Sequence, residues 1–212
     1  MYSLFLKRFF DIVLSLTALI LLSIPLAIVA ALIKMDSKGP IFFRQMRAGK
    51  DLVPFKVFKF RTMQTSAPKN SPTNSLKDAN VHITRVGRIL RKLSIDELPQ
   101  LLNVLKGDMS IVGPRPVIVT ETKLLQAREK HNANSLIPGI TGWAQVNGRD
   151  ELSVSKKAKM DGEYARNFGI MMDLKCLLKT IWAVLAIKGH KEGHQVEDDE
   201  YESVGRSLSE AE

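Results

Sequence analysis

Uncharged, mostly apolar residues run from Ile12 to Ile33 without interruption, a stretch of 22 positions. A helix rising ~1.5 Å per residue over that length matches a bilayer core of roughly 30 Å. The run is long for the apolar part of a signal peptide, and no Ala-x-Ala-like site closes it. Ser23 and Pro25 sit near its middle. Pro25 has no N–H for the carbonyl of Leu21, and the Ser23 hydroxyl can bond back to a nearby carbonyl, so the helix is expected to break there. Lys7 and Arg8 precede the run, and Lys34, Lys38, Arg44 and Arg47 follow it. Positive charge at both ends gives no orientation for a simple span. A re-entrant hairpin that enters and leaves by one leaflet fits these features; a kinked bitopic anchor is the alternative that the same residues allow.

Beyond the run the pattern changes. Lys34 to Lys50 reads as an exit loop with a turn cluster at Ser37-Lys38-Gly39-Pro40. Val53 to Arg61 mixes β-branched and aromatic residues with lysines and predicts a strand. Residues 64–80 are rich in Ser, Asn and Pro and predict a surface loop. In Arg85 to Leu93, Arg85, Arg88 and Arg91/Lys92 share one helical face, while Val86, Ile89, Leu90 and Leu93 share the other. Such a helix lies in a membrane interface or covers a protein core with a solvated basic face. Pro138 to Arg149 is a glycine-punctuated strand or loop. Helices are expected over Lys156 to Phe168 and Asp173 to Ile187; in the second, Leu174, Leu177, Leu178, Ile181, Trp182 and Leu185 form an apolar stripe.

Charge narrows the partners. The net charge is +9, but residues 195–212 carry seven acids against one base, which leaves +15 on the other 194 residues. So basic a body favours anionic partners, and the apolar run points to lipid and phosphorylated substrates rather than nucleic acid. The single cysteine, Cys176, excludes an internal disulfide and fits a reducing compartment.

Candidate chemistry concentrates between Ser94 and Pro116. Ser94-x-x-Glu97 fits a capping box, which makes Glu97 structural on that reading. Asp96 beside it falls in a first helical turn, where the dipole would keep it ionised and backbone N–H groups would stabilise an added phosphoryl group. In Gly113-Pro114-Arg115-Pro116 the prolines restrict the backbone around Arg115, giving either a rigid turn or a bidentate phosphate clamp. Lys59 and Arg61 add positive charge. Asp161 and Asp173 are isolated acids, the second placed as a helix N-cap. His190 and His194 have a zinc-like spacing without a partner cysteine and read as structural or solvated.

Five stretches carry a family resemblance: Phe58-Lys59-Phe60-Arg61-Thr62-Met63, Arg91 to Gln100, Asn103 to Ser110, Gly113-Pro114-Arg115-Pro116, and Pro138 to Val146. With Lys7-Arg8-Phe9-Phe10-Asp11 ahead of the apolar run, they resemble the bacterial sugar transferases, the small monotopic polyprenyl-phosphate phosphoglycosyl transferases, over roughly residues 5 to 188. Ile24 between Ser23 and Pro25 departs from the Ser-Pro pair of many members. The resemblance implies transfer of a sugar-1-phosphate from a UDP-sugar to undecaprenyl phosphate with release of UMP, the first membrane step of capsule, exopolysaccharide, O-antigen or glycoprotein glycan assembly. It implies Mg2+, with Asp96 as nucleophile and Glu97 as its partner, as metal ligand or base, and with both carboxylates as the candidate Mg2+ ligands. Lys59, Arg91, Arg115, Arg149 and Asp173 fall on phosphate- or substrate-handling positions. It places the chain at the bacterial cytoplasmic membrane with the catalytic part on the cytoplasmic face, in contact with membrane lipids.

The expected fold class is α/β and mostly helical: a single small domain with an N-terminal re-entrant hairpin (1–36), a catalytic body with interfacial amphipathic helices (37–188) and an acidic tail (189–212). The sugar and any homodimer stay open. A non-catalytic membrane adaptor that binds anionic lipid is the competing reading. A metal-dependent glycosyltransferase would need an Asp-x-Asp motif, which is absent from the sequence.

Overall fold

The apolar run folds as two helices, α1 (Leu4–Leu21) and α2 (Ser23–Asp36), which meet at Leu22 with a 64° bend. The computed structural model describes residues 4–67, 82–148 and 151–185. Most of the expected loop 64–80, together with Arg149, His190, His194 and the acidic tail, lies outside the described residues. The bend has the expected local cause. Pro25 is in the first turn of α2, and Ser23 Oγ donates to the carbonyl of Ile20 at 2.8 Å. The intervening Ile24 does not prevent it. Among the described residues no single helix is long and apolar enough to cross a membrane, whereas the bent pair is so by length and composition.

α1 is polar on the inside. Lys7, Asp11 and Ser15, spaced four apart and therefore on one face, are 6%, 6% and 0% exposed, while Phe5, Phe9, Val13, Leu14 and Leu16 point outward. Lys7 and Asp11 of this stripe, with Arg8 beside them, are bonded to the body, whereas the Ser15 hydroxyl is buried without a partner among the described residues. Lys7 Nζ donates to Asp173 Oδ2 at 2.6 Å, the backbone N–H of Ile111 donates to Asp11 Oδ1 at 3.0 Å, and the Arg8 guanidinium donates to the carbonyls of Val104 and Leu105.

The stretch expected as an exit loop contains a strand. β1 (Phe42–Ala48) pairs antiparallel with β2 (Pro54–Phe60), in register from Phe42 opposite Phe60 to Ala48 opposite Pro54. The basic residues of β1 obscured its alternation of buried and open positions. On the other side of β2, the wholly buried Asn103 accepts from the Phe58 N–H at 2.9 Å and donates to the Lys56 carbonyl at 2.8 Å. This lateral bond fixes the strand that carries Lys59.

α3 (Arg85–Lys92) packs Leu90 against Phe60 and Ile33, with Ile89 and Leu93 left exposed among its basic residues. Gly87 is required there, since a Cβ would lie 2.1 Å from the Thr62 carbonyl oxygen. A 3-10 turn (Ile95–Gln100) leads into α4 (Leu101–Lys106) and β3 (Ser110–Val112). β3 pairs parallel with β4 (Gly139–Thr141), which α6 (Trp143–Val146) follows. Between them α5 (Thr122–Glu129) packs on α7 (Val154–Arg166) through Leu124, Ala127 and Ala158. The last described helix is α8 (Ile170–Leu185). Among the described residues the result is mostly helical, with two small two-stranded sheets.

The apolar stripe expected on α8 faces outward. Leu174, Leu178, Ile181 and Trp182 are exposed, Trp182 by 70%, while Met172, Asp173 and Cys176 face in. Polar bonds set this rotation. Asp173 is not an N-cap but a buried first-turn residue that accepts from Lys7 and, at 2.6 Å, from the Tyr164 hydroxyl.

Candidate active site

The loop that carries Arg115 is built by close backbone contact. The N–H of Gly113 donates to the Thr141 carbonyl at 2.8 Å, and the N–H of Gly139 donates to the Pro114 carbonyl at 2.9 Å. A Cβ on Gly139 would lie 2.1 Å from the Gly113 nitrogen, so the glycines of both motifs are what let these two strands approach.

The loop aims Arg115 at the 3-10 turn. Arg115 Nη2 and Nη1 donate to Glu97 Oε1 and Oε2 at 2.8 and 3.4 Å, a two-point grip. Lys59 Nζ reaches the same Oε1 from β2 at 2.7 Å. Glu97 is therefore turned into the body, and the expected capping box does not form. Ser94 takes a left-handed conformation (φ 55°) and makes no side-chain cap bond, because the chain turns sharply there into a 3-10 rather than an α-helical turn.

Asp96 is buried beside Glu97 and, among the described residues, its side chain forms no hydrogen bond or ion pair. Burial works against the expected dipole effect. Burial, the largest influence, pushes its carboxyl above the usual range, and the Glu97 charge adds to this; Lys59, Arg91 and Arg115 pull it back down. Burial likewise lowers Lys59, against the Glu97 charge that supports its protonated form. Arg91, in the last turn of α3, is braced by a 2.9 Å bond from its Nε to Thr62 Oγ1.

Thus Lys59, Arg91, Asp96, Glu97 and Arg115 come together. Arg149 lies outside the described residues. Asp173 takes Lys7 and Tyr164 as partners, neither of them a member of this cluster. Ser23 and Pro25 mark the bend. Arg47, counted in the sequence only as flanking charge, joins the site. Its guanidinium is lowered to about 10 by burial and by the neighbouring Arg115 charge, and it donates to Gln45 Oε1 at 2.8 Å and to the Pro116 carbonyl at 3.3 Å. Gln45 and Arg47 are two apart on β1, so recognising that strand would have placed both on one face.

Among the described residues no three His, Cys, Asp or Glu side chains gather as a metal cage. Mg2+ is commonly held by one or two carboxylates plus substrate phosphates. The adjacent carboxylates of Asp96 and Glu97 fit that donor set, and Asp96 has the freer oxygens, since Glu97 is already bonded to two cations.

Cations gathered around a buried carboxylate have the chemistry to bind phosphoryl groups. Comparison with known proteins gives the family. The family model for bacterial sugar transferases matches residues 2–187, and the chain belongs to that family. It is 40% identical over 200 residues to an uncharacterized sugar transferase, EpsL, of Bacillus subtilis, covering 94% of this chain and 97% of that one. It is 41% identical over 184 residues to the UDP-glucose:undecaprenyl-phosphate glucose-1-phosphate transferase of Escherichia coli, covering 84% of this chain and 39% of that one. It is 38% identical over 189 residues to the UDP-N-acetylgalactosamine-undecaprenyl-phosphate N-acetylgalactosaminephosphotransferase of Aeromonas hydrophila, covering 85% of this chain and 44% of that one. The chain thus spans nearly all of the first relative and less than half of the other two.

Proposed function

We propose that this protein moves a sugar-1-phosphate from a UDP-sugar to undecaprenyl phosphate through an aspartyl intermediate on Asp96, as the first membrane step of a surface glycan such as an exopolysaccharide. The observation that carries the reading is the division of labour between two adjacent carboxylates. Glu97 is held by Lys59 and Arg115, and Asp96 is left without an ion pair among cations. A carboxylate oxygen of Asp96 attacks the phosphorus that bears the sugar. The bond from that phosphorus to the bridging oxygen breaks, and UMP leaves with the oxygen and its electron pair. An oxygen of undecaprenyl phosphate then attacks the same phosphorus, releases the Asp96 carboxylate and forms the diphosphate-linked sugar.

The surrounding residues serve charge and orientation. Lys59 and Arg115 hold and orient Glu97, and Arg91, Arg47 and Arg115 offset charge on the phosphoryl oxygens. Asp96 and Glu97 would hold Mg2+ together with the donor's phosphates, and the ion would supply further neutralisation of charge on the departing nucleotide. Arg149 and Asp173 remain proposed substrate-side residues by family resemblance. The sugars named for the relatives differ, so the donor is proposed only as a UDP-sugar.

The apolar outer face of α1, the 64° bend and the outward Trp182 stripe support a chain seated in one leaflet of the cytoplasmic membrane. Residues 1–36 form the re-entrant hairpin, 37–188 the catalytic body on the cytoplasmic face and 189–212 a tail. In the test, purified protein is incubated with UDP-sugar and no acceptor, and its peptides are examined by mass spectrometry. A sugar-phosphate on the Asp96 peptide, absent from Asp96→Asn, is expected. Substantial turnover by Asp96→Asn, or an adduct on Glu97, would overturn the assignment.

A further inference from the structure

A buried ion pair lies behind the site and touches it through one atom. Arg128, on α5, donates from Nε to Asp161 Oδ2 at 2.8 Å, and its Nη2 is 2.6 Å from the same oxygen. Its remaining arm, Nη1, donates to the backbone carbonyl of Arg115 at 2.9 Å. The side chains are 7% and 1% exposed, so neither meets solvent in any useful way. A buried pair of this kind adds little stability over apolar side chains of the same volume. Packing between α5 and α7 is already supplied by Leu124, Ala127 and Ala158.

The place where the third arm lands gives the pair a use. Pro114 and Pro116 fix their own φ angles, and Pro116 restricts the residue before it. These restrictions confine the Arg115 carbonyl to an extended range, and within that range Arg128 holds the oxygen. Arg47 holds the next carbonyl, that of Pro116, from the opposite element β1. The direction in which the Arg115 guanidinium leaves the loop follows from these two grips, and at its end it meets Glu97 at 2.8 Å.

We infer that Asp161 and Arg128 are positioning residues for Arg115. Asp161 orients the Arg128 fork by charge, and Arg128 passes that orientation to the Arg115 backbone. Neither touches substrate. The inference rests on the transferase reading above only where turnover is the readout.

Arg128→Lys is the principal variant. A lysine keeps the charge beside Asp161 but has no planar fork with which to hold Asp161 and the Arg115 carbonyl together. A displacement of about 1 Å remote from the chemistry can cost on the order of 10²-fold in rate. A loss of about ten- to a hundredfold in UMP release is therefore expected for Arg128→Lys in the otherwise native protein. In an Arg115→Lys background the same change should cost no more than about threefold, because Arg128 acts through Arg115. A second cycle with Asp161→Glu runs in parallel and stands alone if Arg128→Lys does not fold. A crystal structure of whichever variant folds gives a readout independent of turnover: Arg115 is expected to leave Glu97. Equal losses in both backgrounds, native turnover in the single variants, or an Arg115–Glu97 contact unchanged at 2.8 Å would each overturn the inference. Absence of UMP release from the native protein would instead overturn the transferase reading, and the crystallographic result would still decide the positioning role.

Discussion

The Lys7–Asp173 pair decides what Asp173 is for. The two charges are 2.6 Å apart, with side chains 7% and 9% exposed, and they join the first helix to the last described one. Asp173→Asn leaves the Tyr164 hydroxyl an acceptor but strands the Lys7 ammonium in a buried site. Removing one partner of such a pair costs about 3–5 kcal/mol. At about 2–4 °C per kcal/mol for a chain of this size, the melting temperature should fall by about 6–20 °C. Lys7→Met alone should cost a similar amount, since it strands the carboxylate. The double variant Lys7→Met/Asp173→Asn strands no charge, so its loss should fall short of the sum of the singles by about 2–3 kcal/mol. Thermal unfolding of detergent-solubilised protein by circular dichroism reads all four forms, with UMP release measured alongside. If Asp173 is a clamp, turnover at a temperature where every form is folded should return in the double variant. Additive stabilities would refute the energetic reasoning. Recovered stability without recovered turnover would give Asp173 the substrate-side role that the family resemblance implies.

Arg115→Lys keeps the charge but loses the two-point grip on Glu97, so turnover should fall by about 10²-fold while the acid limb of the pH–rate profile stays in place. Arg91→Gln removes a charge that pulls the Asp96 carboxyl down. If Asp96 attacks in its ionised form, as proposed, activity is present above its pKa, and steady-state profiles should show the acid limb moved to higher pH; a limb that stays or moves down contradicts the electrostatics. Gly87→Ala places a Cβ 2.1 Å from the Thr62 carbonyl oxygen and should destabilise by at least ~1–3 kcal/mol in urea unfolding, with lowered turnover because Thr62 also braces Arg91.

Local signals carried well from sequence to structure. Pro25 and Ser23 located the bend, and alternating β-branched and aromatic residues located β2 within a residue at either end. The motif residues Lys59, Arg91, Asp96, Glu97 and Arg115 do converge. What failed depended on partners far along the chain. β1 looked like a loop because its arginines hid an alternation that only pairing with β2 makes meaningful. The capping box was a correct local pattern, but Lys59 and Arg115 compete for Glu97, and Ser94 turns the other way. The apolar stripe of α8 was visible, yet its direction was set by Lys7 and Tyr164. No periodicity within a single helix records such choices.

The polar stripe of α1 also imposes an order in time. The partner of Lys7 lies 166 positions downstream, that of Asp11 lies 100, and those of Arg8 lie 96 and 97. α1 is synthesised before every element that satisfies it. Contacts of such long range close late and slow a folding chain. These contacts of α1 therefore close only after the body's elements have been made. The last link, at Asp173, forms only once α8 has been made, so a nascent chain stalled short of that helix should hold its N-terminal helix loosely.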